Sequence, residues 1–257
     1  MGELLIKKDA TYWGVSLEDL RRRNLTGTKF LGFLQELINP HRNQTWGALD
    51  EWARQVRWTD KKIFKTVVQF GALEMHGARI YNEWYKGTLP YVDYTNGHFE
   101  DALNMIARKA SDEQKHGRIY FDAVLERGWA ENRRELFNHQ YAQALFGMKM
   151  FVAWLNYVGA SHPAVQHCGD SVSSEFQSAA SIHALGEALS TVDPIIAKAF
   201  LAQEYEEMTH VKMGEYVVGR YANTPEIQFQ CLWASYHNLR SLRLGLEDFV
   251  EFVEDEA

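Results

Sequence analysis

Two Glu-x-x-His tetrads, Glu113-Gln114-Lys115-His116 and Glu207-Met208-Thr209-His210, are the residues of this chain best suited to chemistry. On a helix, positions three apart lie one turn apart on one face, so each tetrad aims a carboxylate and an imidazole the same way. One tetrad alone carries little weight, since a chain of 257 residues with 10 His should show about one by chance. Two of them, each within a long helix-like stretch and each preceded by a helix with an inward-facing Glu, point to a shared site. Four carboxylates and two imidazoles suit two divalent first-row metal ions, iron first and manganese second, the two sharing the same ligand types. The four carboxylates nearly neutralise two dications and make their burial tolerable. Zinc alone fits less well, because its sites prefer three or four N/S ligands around one ion.

Helix geometry selects the other two carboxylates. In an antiparallel hairpin, residues equidistant from the turn lie at equal depth, at about 1.5 Å per residue. Glu74 matches the depth of Glu113, and Glu175 matches Glu207, whereas Glu83 and Glu187 sit too near their turns. Glu74 and Glu175 also lie among small and apolar neighbours, where a carboxylate is costly to bury unless it is paired or bound to a metal. The acidic residues before each tetrad, Asp112 and Glu206, are placed to accept the free N–H of the histidine in the opposite hairpin. Glu204 is either a further ligand or a salt-bridge partner. His76 and His183 fall outside the set, and Phe70, Phe121, Phe176 and Met208 are candidates for lining a pocket.

The elements that position these residues are helices. Proline occurs at 40, 90, 163, 194 and 225, each expected between helical segments, because inside a helix it removes a hydrogen bond and clashes with the preceding turn. Helices are predicted near 16–24, 28–38, 46–57, 60–86 and 98–127, one or two over 131–159, then 163–189, 194–221 and 225–253. No stretch alternates as a strand would. The chain reads as a single all-α domain over 1–257, with the metal-binding core at about 60–221. Its net charge of −7 argues against nucleic acid, and no apolar run reaches the roughly 18 residues that span a bilayer. The first ten residues lack the apolar stretch of a signal peptide. Cys168 and Cys231 are too few for a disulfide framework, so the expected location is the cytoplasm. The 8 Trp, 12 Tyr and 14 Phe fit either a large helical core or a shielded redox pocket.

In Glu74, Asp112-Glu113-Gln-Lys-His116, Glu175 and Glu206-Glu207-Met-Thr-His210, the sequence resembles the ferritin-like diiron-carboxylate oxidoreductases. The resemblance spans roughly 60–221 and implies a ferritin-like four-helix bundle with additional helices at both ends. Three branches share features with it. The hydroxylase subunits of bacterial multicomponent monooxygenases are similar in QFGAL (69–73), DEQKHG (112–117) and the second Glu/His hairpin, although Ala179 stands where they usually carry Thr. The acyl-carrier-protein desaturases are similar in ligand spacing. The ribonucleotide reductase small subunit is similar in His116-Gly-Arg-Ile-Tyr120, where its radical-bearing tyrosine lies one turn after the histidine. The resemblance implies two irons that activate O₂, most simply to hydroxylate a small apolar or aromatic substrate, with electrons from a ferredoxin or reductase. Its alternatives are a radical-generating or acyl-desaturating enzyme, or a ferroxidase without organic substrate. Oligomeric state is left open, a homodimer included.

Overall fold

The computed structural model describes residues 9–143 and 146–255, without the side chains of 45–46, 143–148 and 176–177. Most of the amino-terminal segment read above as lacking an apolar leader, and the side chain of Phe176, therefore lie outside the described residues. Eleven α-helices are described: α1 Leu17–Arg23, α2 Gly27–Gln55, α3 Asp60–Thr88, α4 Glu100–Glu126, α5 Arg133–Asn138, α6 Phe146–Val158, α7 Pro163–Cys168, α8 Phe176–Leu189, α9 Pro194–Leu201, α10 Glu204–Tyr221 and α11 Pro225–Glu254. Among the described residues there is no strand, only two isolated bridges, Tyr12 with Val15 and Asp93 with His98. No described helix is long and apolar enough to cross a membrane.

Local chemistry accounts for most helix starts. Ser16 and Asp19 form a reciprocal capping box on α1, and Thr59 accepts from the Lys62 amide at the head of α3. Thr224 caps α11, with Pro225 in the first turn, where its missing N–H costs nothing. Pro163 and Pro194 begin α7 and α9 in the same way. Pro40 is different, because α2 runs straight through it and the expected break between 28–38 and 46–57 is absent. An internal proline costs about 3 kcal/mol. Burial on both sides of it opposes that cost: Phe30, Leu34 and Ile38 before Pro40, Leu49 and Ala53 after it.

The first half of the expected bundle is present as a long α3–α4 hairpin, the most extensively packed helix pair of the molecule. Gly71 and Gly117 let these helices approach. A Cβ on Gly71 would lie 2.5 Å from the Phe121 ring, and one on Gly117 would lie 3.0 Å from the Gly71 carbonyl.

The second half departs from expectation. The segment 163–189 is not one helix: α7 ends at Cys168, a π-helical turn spans Ser171–Glu175, and α8 comes after it. The segment 194–221 divides into α9 and α10. Nor are the terminal helices appendages. A core cluster built from Phe30, Leu34, Val165, Val172, Val217 and Leu232 joins α2, α7, α10 and α11 around the π turn. Arg42 donates to the Val172 carbonyl, Ser235 to that of Cys168 and Asn238 to that of Gly169, which satisfies backbone groups that the broken helix leaves open. A four-helix bundle with helices added at its ends is therefore not the architecture.

The α3 terminus meets the end of α6 so closely that a Cβ on Gly87 would stand 2.0 Å from the Gly159 carbonyl oxygen. Gly87→Ala is expected to destabilise the protein by about 1–3 kcal/mol through overpacking, read from the midpoint of chemical denaturation. An unchanged midpoint would contradict this packing.

Candidate metal centre

Each tetrad is one turn of a buried helix. Glu113 and His116 project from the middle of α4, and Glu207 and His210 from the first half of α10, with both histidines wholly buried. Glu74 comes from α3 and is half-buried, and Glu175 is the last residue of the π turn. A π turn inserts one residue per turn and re-aims the side chains beyond it, which is why such turns gather at functional sites.

The six side chains meet as two groups that share Glu113. In one, ligating atoms of Glu74, Glu113, His116 and Glu207 lie within 4.8 Å of one another; in the other, those of Glu113, Glu175 and His210 do. His116 Nδ1 is 3.0 Å from Glu207 Oε1 and 3.4 Å from Glu113 Oε2. His210 Nδ1 is 3.5 Å from Glu113 Oε1 and 4.0 Å from Glu175 Oε1. The opposite edge of each ring is held by the acid that precedes the other tetrad. Glu206 Oε2 lies 2.8 Å from His116 Nε2, and Asp112 Oδ2 lies 3.1 Å from His210 Nε2. These bonds orient both imidazoles with Nδ1 toward the carboxylates.

The inward-facing atoms are poorly satisfied. His116 Nδ1, His210 Nδ1, Glu175 Oε2 and Glu207 Oε1 are buried without a well-aligned hydrogen bond, the first and last meeting only as an ion pair at 3.0 Å. Buried polar groups are nearly always bonded, so four such exceptions mark a place for something else to bind. Charge obeys the same geometry. Burial, then the Glu113 carboxylate, pushes Glu74 well above the usual carboxylate range. Burial would lower His116, but Glu113 and Glu207 raise it to about 12. Burial likewise opposes charge on His210, which Asp112 and Glu113 hold up at about 9.

Beside the cluster lies a polar group that sequence reading missed. Lys109, one turn before Glu113 on α4, is wholly buried and pairs with Glu175 Oε1 and, at 2.7 Å, with Asp170 Oδ2. It also donates to Ser171 Oγ at 2.8 Å and lies 4.3 Å from the centre of the Tyr81 ring. The Tyr81 hydroxyl bonds to Asp170 and, at 3.0 Å, to Glu175 Oε1. Burial opposes the charge on Lys109, but Asp170 and Glu175 raise its pKa above the usual lysine value. The signal available in the sequence was a lysine on the same α4 face as the buried Ala102, Leu103 and Ile106.

Other expectations resolve individually. Glu204 bonds His183 Nδ1 at 3.1 Å on a half-exposed surface, a salt-bridge position away from the cluster. The His76 ring packs on Phe137. Tyr120 is wholly buried, its ring against Phe70 and Phe200 and its hydroxyl near Gln203, as a core aromatic. A cavity of about 90 Å³ opens beside the carboxylates, with Phe70, Leu73, Phe151, Leu155, Leu246 and Phe249 among its apolar walls. Met208 and Phe121 are not among its lining residues; the Phe121 ring packs against Gly71 instead.

No family model matches the chain, and no curated protein matches it. Solved structures do. A TenA homolog from Pseudomonas syringae pv. tomato superposes with a TM-score of 0.67 at 12% identity, covering 88% of this chain and 96% of that one. A domain of unknown function with a heme oxygenase-like fold, from Shewanella denitrificans, gives 0.62 at 14% identity and covers 93% of both chains. The fold is heme oxygenase-like.

That likeness corrects the sequence reading. The ferritin-like assignment is wrong, because Glu-x-x-His spacing reports one turn of helix and not the connectivity that carries it. The functions taken over with that family fall with it: the multicomponent hydroxylase, the acyl desaturase, the radical-generating subunit and the ferroxidase. The carboxylate–histidine cluster rests on its own geometry and remains. Tyr81→Phe should remove a hydrogen bond to buried, charged carboxylates and cost about 1.5–3 kcal/mol, whereas Tyr120→Phe should cost less than about 1 kcal/mol. Equal losses for both variants in chemical denaturation would contradict the polar network.

Proposed function

We propose that this chain is a metalloenzyme in which Glu74, Glu113, His116, Glu175, Glu207 and His210 hold two divalent first-row ions. Iron is the foremost choice, and a manganese–iron pair uses the same donors. We read it as an oxidoreductase with dioxygen as oxidant. The observation that carries this is the set of four buried atoms without a well-aligned hydrogen bond, His116 Nδ1 and Glu207 Oε1 in one group and His210 Nδ1 and Glu175 Oε2 in the other, the two groups joined by Glu113. Carboxylate and imidazole donors with no thiolate favour iron and manganese over ions that seek sulfur.

When bound, the ion pair supplies the electrons and open coordination positions that the chemistry requires. The chain's own residues do the rest. Glu206 and Asp112 set the tautomer and aim of the two imidazoles. Lys109 stands between Asp170 and Glu175 at one edge of the cluster, its single charge shared by the two carboxylates. Tyr81 and Lys109 hold protons within reach of Glu175. The apolar walls exclude water from the carboxylates and leave room for a small organic molecule. A separate electron-donor protein belongs to the same reading.

The test is anaerobic loading with ferrous iron, followed by exposure to dioxygen. About two irons per chain are expected for this ligand set, with dioxygen consumed as the iron oxidises. Glu113→Ala, which removes the shared ligand, should abolish tight loading of both. A chain that takes up no ferrous iron, or takes it up and consumes no dioxygen, would overturn the proposal.

A further inference from the structure

The two groups of ligands are unequal, and the difference is Lys109. Glu74, Glu113 and Glu207 form no direct ion pair with a lysine or arginine among the described residues; Glu113 and Glu207 pair with the histidines. Glu175 is paired with the buried Lys109 ammonium. The oxygen so engaged, Oε1, is the one facing His210 Nδ1 across 4.0 Å. A dication entering the Glu74–Glu113–His116–Glu207 group therefore meets three carboxylates with no direct lysine or arginine partner, Glu113 alone feeling the Lys109 charge from one turn away. One entering the Glu113–Glu175–His210 group meets a carboxylate already neutralised, and like charge close by in a low-dielectric interior repels strongly.

We propose that Lys109 sets the order of metal uptake, the His116 half binding first and the His210 half second, with a gap in affinity that Lys109 imposes. This inference rests on the dinuclear reading above. The surroundings show how the second step proceeds. As Glu175 turns to an incoming ion, Lys109 keeps Asp170 at 2.7 Å and Ser171 at 2.8 Å, so its charge is never left bare. Tyr81, bonded to both Asp170 and Glu175, holds the two carboxylates in register during the exchange. Asp170 is thus the retaining partner. Removing its charge should leave Lys109 more firmly on Glu175, and removing Lys109 should leave Glu175 held by the Tyr81 hydroxyl alone.

The test is anaerobic titration of the full-length metal-free protein with Co(II) alone, followed by its visible absorption and by calorimetry. The unaltered protein should take up two ions in two resolved steps. Lys109→Met should leave the first step in place and tighten the second by about 5- to 150-fold, the usual range of coupling between interacting sites. Asp170→Asn should weaken the second step. Opposite shifts of one step with the other unmoved distinguish this device from a folding defect, which would weaken both steps in both variants and overturn the proposal. Two equal steps in the unaltered protein, or an unchanged second step in Lys109→Met, would sink the ordering and leave the dinuclear site standing. No uptake of Co(II) at all would sink both.

Discussion

Burying four carboxylates within a few ångströms of one another is the constraint on which the rest of this structure depends. Burial makes such charges costly, and each raises the cost for its neighbours, as the upward shifts of Glu74 and Glu175 show. The chain answers with three kinds of positive charge. Two histidines stand between the carboxylates, each anchored from behind by the acid that precedes the other tetrad. A buried lysine stands at one end, tied to Asp170 and Glu175. The third is supplied from outside in our proposal, by ions that would displace the inward histidine protons.

The fold serves that arrangement by bringing backbone close where side chains must converge. The α3–α4 hairpin closes at Gly71 and Gly117, which seats Glu74 against Glu113. Across from it, a Cβ on Gly214 of α10 would lie 2.4 Å from Ser171 Cβ, so the π turn and α10 bring Glu175 and Glu207 together. Helices α2 and α11 stabilise that turn by bonding the Val172 carbonyl within it and the Cys168 and Gly169 carbonyls just before it. A broken helix in the core is tolerable only because other elements satisfy its backbone.

Much of the site was legible in the sequence, because its chemistry is local. Spacing of three within a helix put Glu113 with His116 and Glu207 with His210, and equal depth in hairpins picked Glu74 and Glu175 over Glu83 and Glu187. The crossed bonds from Glu206 and Asp112 came out of the same helical geometry. The fold family was not legible. A Glu-bearing segment leading into a Glu-x-x-His helix, twice over, is compatible with more than one way of connecting helices, and spacing says nothing about breaks. The interruptions at Gly169–Asp170 and Ala202–Gln203 carry no proline, whereas Pro40 marks a break that packing overrides. Lys109 and Asp170 went unseen because their partnership crosses from α4 to the π turn, a contact between residues 61 positions apart.

Everything proposed for this protein requires that the six residues hold two metal ions, in two groups joined by Glu113. The decisive measurement is diffraction from a crystal of the iron-loaded protein, recorded on either side of the iron absorption edge. Two anomalous peaks are expected, one among Glu74, Glu113, His116 and Glu207 and the other among Glu113, Glu175 and His210. A map without a peak at either place, or with iron bound only elsewhere on the molecule, would contradict the dinuclear site.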